Sequence, residues 1–318
     1  MESLAGVVAF VRTAQLRSFT GAGRALGLTG SAVAKAVARL EASLGVRLLH
    51  RTTRSVTLTD DGAVFLDHAQ RALAALDDAA SVVGRGNASL RGTLRVDVPV
   101  VLGRERIVPA LVTWLAAHAQ LAVDLRFSDR WTPLIEEGID VAIRIGAIAD
   151  SRLVARVVGE QRLAMVASPA YLGRRGTPRR PADLDDHDGI AFRLPTSGRA
   201  RPWQLQQAGR PVEMRPRGRL LLDEGEALVR AAEAGAGIAQ VPDYMAAAAI
   251  ARGALVPILE AFAPAPLPVS AVYAHAPIVA PKVRAFVDFV VANAPALFAP
   301  SVAARAQGAR RGKRYMPG

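Results

Sequence analysis

The sequence predicts a multidomain α plus α/β fold: a winged helix-turn-helix first, one linker helix next, and a two-lobed α/β domain over the rest of the chain. Three observations predict it. Two short amphipathic helices flank a glycine turn between Ser18 and Leu44, a near-heptad apolar seam runs from Phe65 to Val83, and β-type and helical runs alternate from Thr93 onward.

The turn Gly27-Leu28-Thr29 separates the two helices. Glycine tolerates the positive φ of a sharp bend, and the hydroxyl of Thr29 or Ser31 suits the N-cap of the second helix. Within that helix Val33, Val37, Leu40 and Leu44 recur at spacings of four, three and four, which gathers them on one buried face. The opposite face carries Ser31, Ala34, Lys35, Ala38 and Arg39. A helix of this kind enters a major groove by its N-terminal residues while the preceding helix crosses the phosphate backbone. Thr20, Thr29, Gly30, Ser31, Ala34, Lys35 and Arg39 are therefore the expected DNA contacts.

An ordinary helical hairpin would share this periodicity, but the charge pattern argues against it. Residues 1–60 hold eight basic side chains against three acids, and the last eighteen residues hold five basic side chains and no acid. With a net charge of +12 overall, the long middle is left near neutral. Basic clusters at the ends acquire sequence-independent affinity for closely spaced phosphates through counterion release.

Val46–Leu49 and Ser55–Leu58 read as strands around a basic tip of Arg51, Thr52, Thr53 and Arg54. This wing is expected to contact a minor groove or phosphate row. Thr59 followed by Asp60 and Asp61 marks the start of the linker helix, expected from about Asp60 to Val83. Its seam of Phe65, Leu66, Ala69, Leu73, Leu76, Ala80 and Val83 is narrow enough to pair with a second copy.

After a polar hinge at Gly84–Ser89, strands are expected at Thr93–Val98, Leu121–Phe127 and Val141–Ile145, with helices at Arg106–His118 and Thr132–Glu137. A second unit opens near Arg162 and includes a helix at Gly225–Ala234 and a strand at Gly237–Val241. Such alternation implies mostly parallel sheets with a cleft between the two lobes. Pro99, Val100, Val101, Ile145, Gly146, Phe192, Gly237 and Ile238 are the expected ligand contacts, because loops at strand ends and helix N-termini present amide donors to small anions. Arg144 lies inside a strand and reads as a structural cation.

Enzymatic chemistry finds little support. The five histidines lack helical metal spacing, and neither a phosphate loop nor a nucleophile elbow is present. Asp183, Asp185, Asp186, His187 and Asp188 form an acid-rich loop that reads as solvated, so no metal, cofactor or catalytic residue is assigned. A nonspecific architectural DNA binder would explain the charged ends but not a large neutral domain with a cleft.

Residues 4–62, with S-F-T-G-A-G-R-A-L-G-L-T and S-A-V-A-K-A-V-A-R-L-E-A-S-L-G-V-R-L-L-H-R followed by L-T-D-D-G, resemble the N-terminal domain of LysR-type transcriptional regulators. E-E-G-I-D-V-A-I-R-I-G at 136–146, A-S-P-A-Y-L at 167–172 and A-G-A-G-I-A-Q-V-P-D-Y at 234–244 resemble that family's effector domain. The resemblance implies a periplasmic-binding-protein-like domain at 89–300, with lobe I at about 89–161 and 266–300 and lobe II at about 162–265. It also implies a DNA-binding domain at 1–59 and a dimerisation helix and hinge at 60–88. Expected partners are double-stranded DNA, a small-molecule effector such as an organic acid, RNA polymerase, and further copies of the chain as a dimer or tetramer. Gly30 and Ala34 depart from the Gln or Pro and the Ser common in the family, and Val100 and Val101 from more polar residues. Base preference and effector are thus not inherited.

With 318 residues, 51% of them hydrophobic, the chain can bury several cores. No cysteine is available for a disulfide or thiolate site, no N-terminal run reads as a secretion signal, and charges interrupt every long apolar stretch. A cytoplasmic location is expected. The tail 301–318, basic and without apolar periodicity, is expected to be disordered.

Overall fold

The computed structural model describes residues 4–51, 56–83, 90–148, 150, 152–276 and 278–299. The expected hinge at 84–89, the wing tip at Thr52, Thr53 and Arg54 and the basic tail lie outside the described residues. The chain divides into two compact units, Met1–Gly92 and Thr93–Gly318.

In the first unit, α1 (Leu4–Leu16), α2 (Phe19–Leu26) and α3 (Gly30–Leu44) close around Phe10, Ala22, Val33, Val37 and Leu40. Ser18 caps α2 by accepting from the Gly21 amide at 3.0 Å, and Gly27 ends it at φ 67°. Thr29 is the cap of α3, its Oγ1 accepting from the Ala32 amide at 3.2 Å, while Ser31 only hydrogen-bonds the Thr29 hydroxyl. The corner between the helices is tight. A Cβ on Gly23 would stand 2.7 Å from the Leu28 carbonyl oxygen, so α2 has no room for a side chain there. Leu44, expected on the buried face, is 42% exposed because α3 outruns the core by one turn before ending at Gly45.

The wing consists of β1 (Leu49–Arg51) and β2 (Val56–Leu58), paired antiparallel with Leu49 opposite Leu58. β1 starts later than expected. Glu41 Oε1 on α3 accepts from the amides of Leu48 and Leu49 at 2.9 and 3.1 Å, tying the entry to the wing to the recognition helix. Helix α4 (Asp60–Val83) starts at the predicted cap, with Thr59 Oγ1 accepting from the Gly62 amide at 2.9 Å. Its Phe65, Leu66, Ala69 and Leu73 pack on the core of their own unit, and Phe65 meets Phe10 edge-on at 5.5 Å. The first half of the seam is thus used internally, against the expectation that all of it faces another copy; Leu76, beyond that core, stays half exposed.

The second unit begins with β3 (Gly92–Val98) and a helical run of α5 (Val100–Leu102), a π turn (Gly103–Ile107) and α6 (Val108–Ala116). Next come β4 (Leu121–Phe127), β5 (Val141–Ile145), β6 (Leu153–Gln161), β7 (Leu163–Ala167) and α7 (Pro169–Arg175). They are followed by β8 (Gly189–Phe192), the hairpin β9 (Trp203–Gln207) and β10 (Arg210–Met214), β11 (Leu220–Leu222) and α8 (Gly225–Glu233). The run closes with β12 (Ile238–Pro242), α9 (Asp243–Ala251), β13 (Val256–Ile258), β14 (Leu267–Ala274) and α10 (Pro281–Leu297).

Two five-stranded sheets result, in the orders β4-β3-β5-β14-β6 and β11-β8-β12-β7-β13. They are mixed, not mostly parallel. The pairs β3 with β5, and β11 and β12 with β8, are parallel, whereas β14, β7 and β13 run antiparallel to their neighbours. The chain passes between sheets after Gln161 and before Leu267, and the first strand after each crossing, β7 or β14, runs against both of its neighbours. The helix expected at Thr132–Glu137 is a single turn around buried Leu134, ended by Gly138 at φ 64°. Among the described residues, no helix is long and apolar enough to cross a membrane.

Candidate nucleic-acid interface and ligand cleft

Burial of Val33, Val37 and Leu40 turns the other face of α3 outward, leaving Thr29, Ser31, Lys35 and Arg39 exposed and Gly30 and Ala34 half buried. Thr20, in the first turn of α2, is exposed beside them: a Cβ on Gly30 would stand 3.2 Å from the Thr20 Cα. Two helix N-termini therefore meet at one spot, where unpaired amides and helix dipoles favour phosphate. Lys35 and Arg39 form no ion pair among the described residues, so both charges remain available. The side chain of Arg51 lies outside the described residues together with Thr52, Thr53 and Arg54. Spacing along α3 does not reveal Glu41, whose carboxylate sets the wing against the helix; an acid in a basic domain was its only signal.

In the second unit, the carboxyl ends of β3 and β5 bring Pro99, Val100, Ile145 and Gly146 to one edge of the first sheet, and Val101 lies buried just behind it. Phe192 ends β8 at an edge of the second sheet, half buried and under the Arg201 guanidinium at 5.2 Å. Bridges join the two lobes. Arg104 of the π turn forms an ion pair with Glu226 on α8, and the Arg106 guanidinium lies 5.9 Å above the Tyr244 ring on α9. Irregular π turns recur where a helix is adapted to a site, and this one carries both bridging arginines.

Gly237 and Ile238 are not at that edge. Ile238 pairs with Gly189 at the amino end of parallel strands, roughly 10 Å along the strand from Phe192, and is buried against Met165, Trp203 and Leu205. Strand direction puts Pro242, Asp243 and Tyr244 at the carboxyl end instead. A small recess lined by Leu102, Gln161, Asp243, Tyr244 and Phe298 lies at the chain crossing, and none of the expected ligand residues lines it.

Carboxylates missed by the sequence reading occupy the facing edges. Asp129 Oδ1 accepts from the Val100 amide at 3.1 Å. Glu224 caps α8, accepting from the amides of Glu226 at 3.1 Å and Ala227 at 2.6 Å. Asp97, one residue before the end of β3, is 1% exposed and pairs through Oδ2 with buried Arg144 at 3.1 Å, which bears out a structural role for that arginine. Partial burial pushes the Asp129 carboxyl above its usual range; the Val100 amide opposes this, and the charges of Glu224 and Asp97 add to it. The Tyr244 hydroxyl is likewise pushed up, by burial first and then by Asp129 and Asp243.

The acid-rich loop is committed to local structure. Asp183 pairs with Arg180 at 2.9 Å, Asp185 with Arg217 at 3.4 Å, and buried His187 meets the Tyr171 hydroxyl at 3.2 Å. Among the described residues, no group of three His, Cys, Asp or Glu side chains could hold a metal ion.

Residues 4–63 match the family described as bacterial regulatory helix-turn-helix protein, lysR family, and residues 87–295 match the LysR substrate binding domain. A transcriptional regulator of Xanthomonas campestris is 36% identical over 284 residues, spanning 89% of this chain and 83% of the relative. A transcriptional repressor of Pseudomonas aeruginosa is 34% identical over 92% of each chain. Among solved structures, CrgA of Neisseria meningitidis, a LysR-type transcriptional regulator, aligns with a TM-score of 0.57 at 32% identity, covering 91% of this chain and 97% of that one. The virulence activator AphB of Vibrio cholerae aligns with the same TM-score at 27% identity, covering 92% and 99%.

Proposed function

The chain belongs to the LysR family of bacterial transcriptional regulators, with a helix-turn-helix DNA-binding domain and an effector-binding domain, and from that premise we propose how it works. The reading helix α3 enters a major groove with Thr29, Gly30, Ser31, Ala34, Lys35 and Arg39, Thr20 binds the adjacent phosphate, and Arg51, Thr52, Thr53 and Arg54 contact a minor groove or phosphate row. The observation that carries this is the division of α3 into a buried Val33–Val37–Leu40 face and an exposed face with two uncommitted cations. Domains divide at about 1–59, 60–88 and 89–300, with a basic tail after them. Two or four copies join through α4, act on neighbouring half-sites in the cytoplasm, and influence RNA polymerase; joining two readers multiplies affinity through effective concentration.

Pro99, Val100, Val101, Ile145, Gly146 and Phe192 form the effector site between the lobes, and a ligand acts by its differential affinity for two lobe arrangements. Mobility-shift titration of the full chain against competitor DNA tests the reading. A regulator holds its operator against a large excess of random duplex, whereas equal affinity for both would leave only a nonspecific binder.

A further inference from the structure

Only Arg17 and Ser18 separate α1 from α2, and the backbone leaves α1 through Arg17 at φ 48°, in the left-handed region. Ser18 then caps α2. A Cβ in that region crowds the following carbonyl, a cost that glycine escapes. The unit's other left-handed helix ends use glycine, Gly27 at φ 67° after α2 and Gly45 at φ 70° after α3. Among the described residues, the non-glycine residues with positive φ are Arg17, Ala208 and Leu259. Leu259 is buried and fills the core beside Met165 and Trp203, and Ala208 places no more than a methyl in the turn between β9 and β10. Arg17 fits neither account. It is exposed, and its side chain makes no hydrogen bond, ion pair or ring contact among the described residues.

Strain from which the fold gains no contact points to a ligand, and the position of the residue says which. Arg17 stands three residues before Thr20, whose Cα would lie 3.2 Å from a Cβ on Gly30, so it borders the spot where the first turns of α2 and α3 meet. Arg24, one turn beyond Thr20 on the same exposed face of α2, is likewise without an ion pair among the described residues. In a helix-turn-helix this is the helix that crosses the phosphate backbone.

Resting on the reading of α3 as the helix that enters the groove, we propose that the Arg17 guanidinium holds a DNA backbone phosphate next to the one met by Thr20. That contact is why the corner carries an arginine where glycine would be relaxed. A guanidinium presents its donors as a rigid fork that matches two phosphate oxygens, and it stays charged at any working pH.

Arg17→Gly tests this, because it removes the strain and the charge together. Thermal melts of the full chain are expected to rise. Binding to a duplex selected from a random pool by the parent chain is expected to weaken about fivefold at physiological salt, with the slope of log affinity against log salt reduced by about one. Ethylation of one phosphate per half-site should interfere with the parent and not with Arg17→Gly, a signature that a structural arginine would not give. Arg17→Lys should keep most of the salt slope. Arg17→Asn, which also tolerates the left-handed region, takes the place of Arg17→Gly if that variant does not fold. A lowered melting temperature would show that the fold itself uses the side chain, and an ethylation pattern unchanged by Arg17→Gly would remove the contact; either overturns the proposal. An equal loss of slope in Arg12→Ala, which removes the same charge from α1, would leave only long-range attraction and overturn it too. Weakened binding in Lys35→Ala with none in Arg17→Gly overturns the proposal and leaves the reading of α3 standing, whereas unchanged binding in both overturns that reading as well.

Discussion

Lys35 projects from the middle of the exposed face of α3 with no ion pair among the described residues, so its charge can be spent on DNA. Lys35→Ala is expected to cost about 1–3 kcal/mol of operator binding if the ammonium meets a base edge, or to reduce the salt slope by about one if it meets phosphate. Mobility shifts at several salt concentrations separate the two outcomes. His187 offers a second test at this scale. Burial, with the Arg175 charge, holds its pKa below the ordinary 6.5, and the Tyr171 hydroxyl accepts from the Asp188 amide at 2.8 Å, leaving its own proton to donate to an unprotonated His187 Nδ1. The neutral imidazole is the form the fold prefers. Its contribution is complete above pH 6.5 and is lost as pH falls toward the depressed folded value. Thermal melts of the second unit should drop in that window, and His187→Gln should flatten the drop.

At the scale of elements, the wing and α3 are one device because Glu41 receives the Leu48 and Leu49 amides. Removing that carboxylate leaves two amides near the core without their acceptor, at a cost of about 1–3 kcal/mol. Glu41→Ala should therefore lower the melting temperature of the first unit and weaken operator binding, although Glu41 itself need not touch DNA. Glu41→Gln, which keeps an acceptor oxygen, should recover much of both. Helix α4 divides its labour similarly: Phe65, Leu66, Ala69 and Leu73 anchor it to its own domain, while exposed Leu76 is open to the second copy proposed to join through α4. Leu76→Glu should shift sedimentation toward smaller species while leaving the first unit's helicity unchanged.

For the whole molecule, the near-neutral middle separates two basic ends, and the five basic side chains of 301–318 are nearly half of the net charge. Deleting that tail should lower affinity for random duplex at low salt and flatten its salt dependence, since fewer counterions are released. Circular dichroism melts of the shortened chain should match the parent. The similar proteins include an activator and a repressor, so the shared fold does not by itself set the direction of control.

What the sequence alone determined is what acts over short distances along the chain. The caps at Thr29 and Thr59, the left-handed Gly27, the buried Val33, Val37 and Leu40 and most strand positions each depend on neighbours within about one turn or one pleat, where periods of 3.6 and 2 prescribe the partner. The tertiary structure decided the rest. Glu41 finds amides seven and eight residues away, Asp97 finds an arginine 47 residues on, and Asp129 finds the Val100 amide 29 residues back. The misplacement of Gly237 and Ile238 has the same origin. Which end of β12 faces the other lobe is set by its parallel pairing with β8, and the alternation that identifies a strand is the same read in either direction. Glu224 is legible locally, since it caps α8 from two and three residues before the amides it receives, whereas Asp129 is too distant in sequence from Val100 for any period to connect them.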